Sequence, residues 1–264
     1  MPKKHKEGEQ VSGDAIEKAG GYSGARFQCL GQLVLLKKGD NLMESALMQR
    51  RFRGQLNKYF STPNVYSINP EGFKMEHLVN KLSAAQYYSE KIEDAEVFIR
   101  KCISFINDNI KHEVDFGRAP FMRKILKIIN RLKDVESIRL AEKVAVALDD
   151  YGRFYLPYGE YHGDFTFVNI LCPGDYLIDF TPAYIHSPIV DIVKLKQEYK
   201  LGWSAFMINV GENYLKLIQM LREYVEHHFT FDTRLIEAMN LLRILPYANE
   251  QMTRMLHREI NTLL

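Results

Sequence analysis

The sequence predicts an α+β chain in which a small antiparallel sheet precedes a mostly helical remainder. Three observations carry this. A β-branched and Leu-rich run at 32–39 and a hairpin pattern over 64–78 place the strands in the first third. From Ser83 onward, apolar residues recur at helical spacing through most of the chain. At 161–180 a short string of acids and an amide, set among apolar residues, reads as a loop leading into a tight hairpin.

The length of 264 residues suits one large domain or two lobes, and 46% hydrophobic with 26% charged residues is an ordinary globular composition. A formal charge of +2 is too small to argue for nucleic acid, and the aromatic residues do not alternate with basic ones. No run of 18 apolar residues occurs, so no membrane span is expected. The basic start Met1-Pro2-Lys3-Lys4-His5-Lys6 has no apolar stretch behind it and is not a signal peptide. Cys29, Cys102 and Cys172 are odd in number and far apart, which points to reduced thiols in a cytoplasmic protein.

Taken in order, residues 1–18 are polar and form a loose lead-in. Ala19-Gly20-Gly21-Tyr22-Ser23-Gly24 follows, and glycines at this density let a backbone turn tightly and bring its N–H groups to phosphate oxygens. The run at 32–39 is a strand ending in Lys37 and Lys38. Alternation sends these lysines to opposite faces, so only one can point into a cleft; Lys37 is the candidate and Lys38 the alternative. Asp40 is a plausible N-cap for a helix reaching about Tyr59, with Glu44 its first acid. Strands at 64–68 and 73–78 flank a turn at Asn69-Pro70-Glu71-Gly72. Residues 83–149 read as helical, interrupted by a polar loop around Gly117 and Pro120. After Asp179, a helix starts at Ser187 or Pro188, and helices over about 201–228 and 232–263 complete the chain.

The chemistry concentrates in His162-Gly163-Asp164-Phe165-Thr166-Phe167-Val168-Asn169 and in Ile178-Asp179-Phe180. An acid, an amide five residues later and a second acid beyond a short hairpin are what metal-assisted phosphoryl transfer needs. One carboxylate orients the attacking hydroxyl, while an amide oxygen and another carboxylate hold a hard cation that keeps most of its waters. The hairpin turn is expected at Pro173-Gly174-Asp175.

His-Gly-Asp-x-x-x-x-Asn followed by Ile-Asp-Phe resembles the catalytic and metal-binding segments of the aminoglycoside phosphotransferase and choline kinase group. These are small-molecule relatives of the protein kinases, whose own version reads His-Arg-Asp and Asp-Phe-Gly. The resemblance implies a two-lobed protein-kinase-like fold, with a nucleotide-binding lobe over 19–78 and a catalytic and acceptor-binding lobe over 79–264. It implies ATP and Mg²⁺ as cofactors and a small-molecule hydroxyl as acceptor. Asp164 is then the catalytic residue that orients the hydroxyl and accepts its proton, with His162 ordering the loop, and Asn169 and Asp179 are the metal ligands. Gly20, Gly21, Ser23 and Gly24 would cover the phosphates and Lys37 would hold them, with Glu44 as its partner across a gap shorter than the family usually shows. Glu76, His77 and Leu78 resemble the hinge whose backbone meets the adenine edge. Asp191 matches a helical Asp that braces the catalytic loop, and His186 lies near the expected cleft. The cadence of 165–195 is similar to phosphotransferases of bacterial surface-polysaccharide metabolism, which implies a sugar or amino alcohol. Two rivals stand beside this reading. A Ser/Thr protein kinase lacks support because neither Asp-Phe-Gly nor Ala-Pro-Glu is present, and a kinase-like binding module without turnover would account for the short Lys37–Glu44 spacing.

Overall fold

The computed structural model describes residues 17–18, 26–30, 34–39, 42–54 and 58–264. The first third is a five-stranded sheet in the order β1-β2-β3-β5-β4, antiparallel throughout. It is built from β1 (Glu17–Lys18), β2 (Arg26–Cys29), β3 (Val34–Lys38), β4 (Val65–Asn69) and β5 (Gly72–Glu76). The expected hairpin at 64–78 is present, with its turn at 70–71. Helix α1 (Leu42–Gly54) lays Leu42 and Ala46 on Phe73 and Met75 of β5, and Leu35, Val65 and Ile68 complete this small core. The other end of α1 turns Phe52 into a second, much larger core, beside Phe105 and Phe180. Two cores joined through one helix give the chain its two lobes. Asp40 and residues 55–57 at the expected helix ends lie outside the described residues.

The larger lobe opens with β6 (Leu82–Ser83) and α2 (Ala84–Glu90). Ser83 caps that helix reciprocally: its hydroxyl accepts the Gln86 N–H and its own N–H donates to the Gln86 side chain, both at 3.2 Å. α3 (Ala95–Asn109) buries Phe98, Ile99, Cys102, Phe105 and Ile106 on one face, the period read from the sequence. The chain then departs from the expected all-helical stretch. β7 (Ile110–Asp115) separates α3 from α4 (Ala119–Ile129) and α5 (Val135–Tyr151) and pairs with β8 (Tyr155–Gly159). Lys111, His112, Glu113 and Asp115 leave no apolar alternation to read, because this ribbon is largely solvated and its hydrogen-bonding partner lies some 40 positions later. β8 delivers the chain directly into the 160–164 loop.

β9 (Ile170–Cys172) and β10 (Tyr176–Leu177) form the expected hairpin, with 173–175 as its turn, and β6 adds a third strand. α6 (Ile189–Leu201) is buried at every position from 189 to 198, so it runs through the middle of the lobe and shows no amphipathic stripe. Gly202, at φ +63°, ends it. The helix expected over 201–228 is two helices, α7 (Trp203–Met207) and α8 (Tyr214–His228), parted at 208–213. α9 (Arg234–Leu242) and α10 (Glu250–Leu263) follow, and Asn249 caps the latter by accepting the Met252 N–H at 2.9 Å. Cys29, Cys102 and Cys172 are free thiols, and among the described residues no helix is long and apolar enough to cross a membrane.

Candidate active site

The 160–164 loop is held from below by α6. The Asp191 carboxylate accepts the backbone N–H groups of His162 and Gly163, each at 2.7 Å. Burial pushes this carboxyl up to about 7, against the pull of those amides. From above, His162 closes the loop onto the hairpin. Its Nε2–H donates to the Ile178 carbonyl at 2.7 Å, which leaves Nδ1 to accept the Asp164 N–H at 3.2 Å. Both bonds need a neutral ring, and burial lowers its pKa to about 4. Gly163 sits at φ +86°, and a Cβ there would lie 1.8 Å from the Thr181 carbonyl oxygen. The backbone bond from Thr181 N–H to the His162 carbonyl, at 3.0 Å, runs through the same contact. This close approach excludes Arg, the residue of the protein-kinase version, from position 163.

With the loop fixed, Asp164 projects outward. Its side chain is 32% exposed and that of Asp179 35%, whereas the bracing groups His162 and Asp191 are buried, so the two acids reach the solvent that any substrate must come through. Asp164 Oδ1 pairs with Lys194 of α6 at 2.8 Å. Asp164 Oδ2 accepts from Asn169 Nδ2 at 3.0 Å, and the same amide nitrogen donates to the Asp164 carbonyl at 2.9 Å. Burial alone would raise the Asp164 pKa, but the positive charges of Lys194 and Arg243 hold it down to about 2. Asn169 in turn takes the Ile178 N–H on its own backbone carbonyl at 3.0 Å, which ties the loop to the segment that follows β10 and carries Asp179. Asp179 adopts φ +62°, a left-handed conformation uncommon outside glycine, and forms an ion pair with Lys37 of β3 across the two lobes. The aromatic rings of Phe165, Phe167 and Phe180 anchor these segments in the large core.

The structure therefore gathers Asp164 and Asn169 of one loop, Asp179 beyond the hairpin and Lys37 of β3, and buries Lys37 while its neighbour Lys38 is half-exposed. It does not pair Lys37 with Glu44, which is exposed in the first turn of α1; the acid facing Lys37 is Asp179. Gly20, Gly21, Ser23 and Gly24 lie outside the described residues. Glu76 ends β5 with its carboxylate accepting from the Asn64 N–H at 3.0 Å and side-chain amide at 2.9 Å. Beyond it His77 and Leu78 leave the sheet. His186 packs on Tyr158 and Tyr161 and lies 3.7 Å from the buried Glu160. Glu198, on the buried length of α6, accepts the N–H groups of Phe167 and Ser204 and holds the loop rather than facing a pocket. Sequence reasoning missed Lys194. Its spacing from Asp191, one helical turn, was the signal that both share the face beneath the loop.

No protein-family model matches the chain, and no curated protein matches it in sequence. Solved structures do. A thermostable mutant of aminoglycoside phosphotransferase APH(4)-Ia is similar with a TM-score of 0.60 at 12% identity, over 90% of this chain and 89% of that one. The chain has the kinase-like fold. A choline/ethanolamine kinase family protein from Mesorhizobium loti shares this fold with a TM-score of 0.57 at 14% identity, over 95% and 88% of the two chains. The aminoglycoside phosphotransferase APH(2")-IIa, solved with gentamicin, does so with a TM-score of 0.52 at 15% identity, over 94% and 89%. At such identities the likeness is one of fold, so the chemistry rests on the residues gathered here.

Proposed function

We propose that the protein transfers the γ-phosphoryl group of ATP to a hydroxyl of a small molecule, with Mg²⁺ as cofactor. The observation that carries this is the convergence of Asp164, Asn169, Asp179 and Lys37 at the junction of the lobes. Asp164 orients the acceptor hydroxyl. With its pKa held near 2 it is a weak base, which suits a loose transition state in which the proton leaves late and positioning does most of the work. Lys37 meets the negative charge of the phosphates. The donor set fits a hard cation. The Asn169 amide nitrogen is turned to Asp164, which directs its oxygen elsewhere, and Asp179 adds a carboxylate. One or two such oxygens suffice for Mg²⁺ brought in with phosphates. Bound there, the metal supplies charge neutralisation to the phosphates. The glycine segment at 20–24 is assigned to cover them, and the backbone of His77 and Leu78 to receive the adenine edge, within a nucleotide-binding lobe over 19–78. A sugar or amino alcohol, in surface-polysaccharide metabolism, is the acceptor class the sequence cadence supports.

One observation favours a second reading, a binding module without turnover: Lys37 is paired with Asp179 rather than Glu44. Release of ADP from Mg·ATP in the presence of a panel of sugars, amino alcohols and antibiotics tests the first reading. It predicts turnover that Asp164→Asn and Asp179→Ala each abolish while both variants keep the wild-type circular dichroism. Turnover that survives Asp179→Ala refutes the metal role, and its absence with every acceptor, together with nucleotide-induced stabilisation, favours the module.

A further inference from the structure

Beside Asp164, a cavity of about 50 Å³ opens between α4, the 181–184 segment, α6 and α9. That is room for several waters or for a small charged group. Its charged lining is Lys124 from α4, Lys194 from α6 and Arg243 at the end of α9, and no Asp or Glu lines it. Lys194 is matched by Asp164 at 2.8 Å. Neither Lys124 nor Arg243 has a carboxylate within ion-pair distance among the described residues. Lys124 Nζ lies 5.8 Å from the centre of the Tyr184 ring, and Arg243 Nη2 makes one long bond to the Asn240 side chain at 3.4 Å. The Tyr184 hydroxyl is buried without a hydrogen-bond partner among the described residues, and Tyr184 lines this cavity. Ile236, Met239 and Val193 form apolar walls that strengthen every charge between them. Burial, then the charge of Arg243, lowers both Lys124 and Lys194 to about 8, so these like charges are held together at a cost in the unliganded fold.

We propose that the acceptor carries an acidic group, carboxylate or phosphate, besides the hydroxyl that is phosphorylated. This group seats between Lys124 and Arg243 and takes the Tyr184 hydroxyl as a donor. The inference rests on the phosphotransferase reading, because Gly163, next to Asp164 in the chain, and Lys194, its ion-pair partner, line this cavity and make it the acceptor's place. It narrows the class. An amino alcohol or a polyamine would bring a positive charge to an already cationic pocket, whereas an acidic sugar would neutralise it and leave Lys194 to Asp164.

The test is isothermal titration of the full chain, saturated with ADP and Mg²⁺, with glucuronate, glucose 6-phosphate, glucose and glucosamine. At least one acid should bind about tenfold or more tighter than glucose, and glucosamine should bind no better than glucose. Whichever of glucuronate and glucose 6-phosphate binds tighter identifies the acidic group. Lys124→Ala should lose about tenfold for that acid and leave glucose unchanged, and Arg243→Ala should lose at least as much for the acid, with Arg243→Lys recovering part of that loss and circular dichroism as the folding control. The proposal is overturned if neither acid binds, if glucosamine binds as tightly as the better acid, or if both alanine variants bind that acid like wild type. It is also overturned if the variants instead raise the KM for ATP with every acceptor, since the cations would then serve the transferred phosphate. ATP turnover that Asp179→Ala abolishes, without preference for acids, refutes the acceptor assignment alone. Acid binding with no ATP turnover at all refutes the phosphotransferase reading instead.

Discussion

Replacing Gly163 by Ala puts a methyl group 1.8 Å from the Thr181 carbonyl oxygen, on a residue whose φ is +86°. Carbon and oxygen approach to about 3.3 Å, so the loop and the 181 segment must part by about 1.5 Å. The left-handed backbone costs a residue with a Cβ about 1–2 kcal/mol. Parting the segments loses the hydrogen bond from Thr181 to the His162 carbonyl, worth about 1 kcal/mol. The expected destabilisation is about 2–3 kcal/mol, which for a chain of this size lowers the melting temperature by roughly 5–10 °C. Asp164 is the next residue, and a displacement of this size in a catalytic group lowers turnover by about 100-fold. Gly117 supplies the control. It too is left-handed, at φ +57°, but nothing lies within 4 Å of the place a Cβ would take. There the backbone penalty of about 1–2 kcal/mol acts alone and no segment is displaced, so Gly117→Ala should keep its turnover and lose less stability than Gly163→Ala. Thermal melts and steady-state ADP release on both variants decide it. A Gly163→Ala protein that melts and turns over like wild type, or a Gly117→Ala protein equally damaged, would refute the argument that close approach fixes this loop.

Other expectations follow from the same geometry. Lys194 is lowered to about 8 by burial and by Arg243, so its charged form is lost as pH rises through that value, while Asp164 stays ionised down to about pH 2. Profiles of kcat/KM should therefore show an alkaline fall near pH 8 that Lys194→Arg moves upward, with no acid limb from Asp164; a rate still climbing at about pH 9 contradicts it. Lys37→Met removes the cation proposed to meet the phosphates and should raise the KM for ATP about 10–100-fold, as read from nucleotide titrations; an unchanged KM separates Lys37 from the nucleotide. Phe165 stacks on Phe105 at 5.1 Å and meets Phe60 edge-on at 5.7 Å, fully buried. Phe165→Ala should cost about 3–5 kcal/mol by urea unfolding, and a loss under about 1 kcal/mol would show that the loop is not anchored there.

What was legible in the sequence follows from range. The strand ending in Lys37 and Lys38, the hairpin at 65–76, the amphipathic α3 and the hairpin just before Asp179 all depend on neighbours within a few positions, and each was readable. The β7–β8 ribbon was not, because Lys111, His112 and Glu113 face water and their pairing depends on a partner far along the chain. α6 resisted a periodic reading for the opposite reason, being buried all round. In the site, Asp164, Asn169 and Asp179 share one short string, so their grouping was visible before their coordinates. The cationic cavity drew Lys124, Tyr184, Lys194 and Arg243 from four segments spread along the sequence, and only folding brings them together.

The contact between Lys37 and Asp179 has a consequence for how the crevice fills. The two charges, 142 positions apart, already answer each other, so neither waits bare for a visitor. A divalent ion arriving alone would take the acid from the lysine, and a triphosphate arriving alone would take the lysine from the acid. Either newcomer by itself must break the existing pair and leave one half of it worse matched. The two arriving together would exchange one contact for two, so under the proposed function this pair would favour the metal–nucleotide complex over its separate parts.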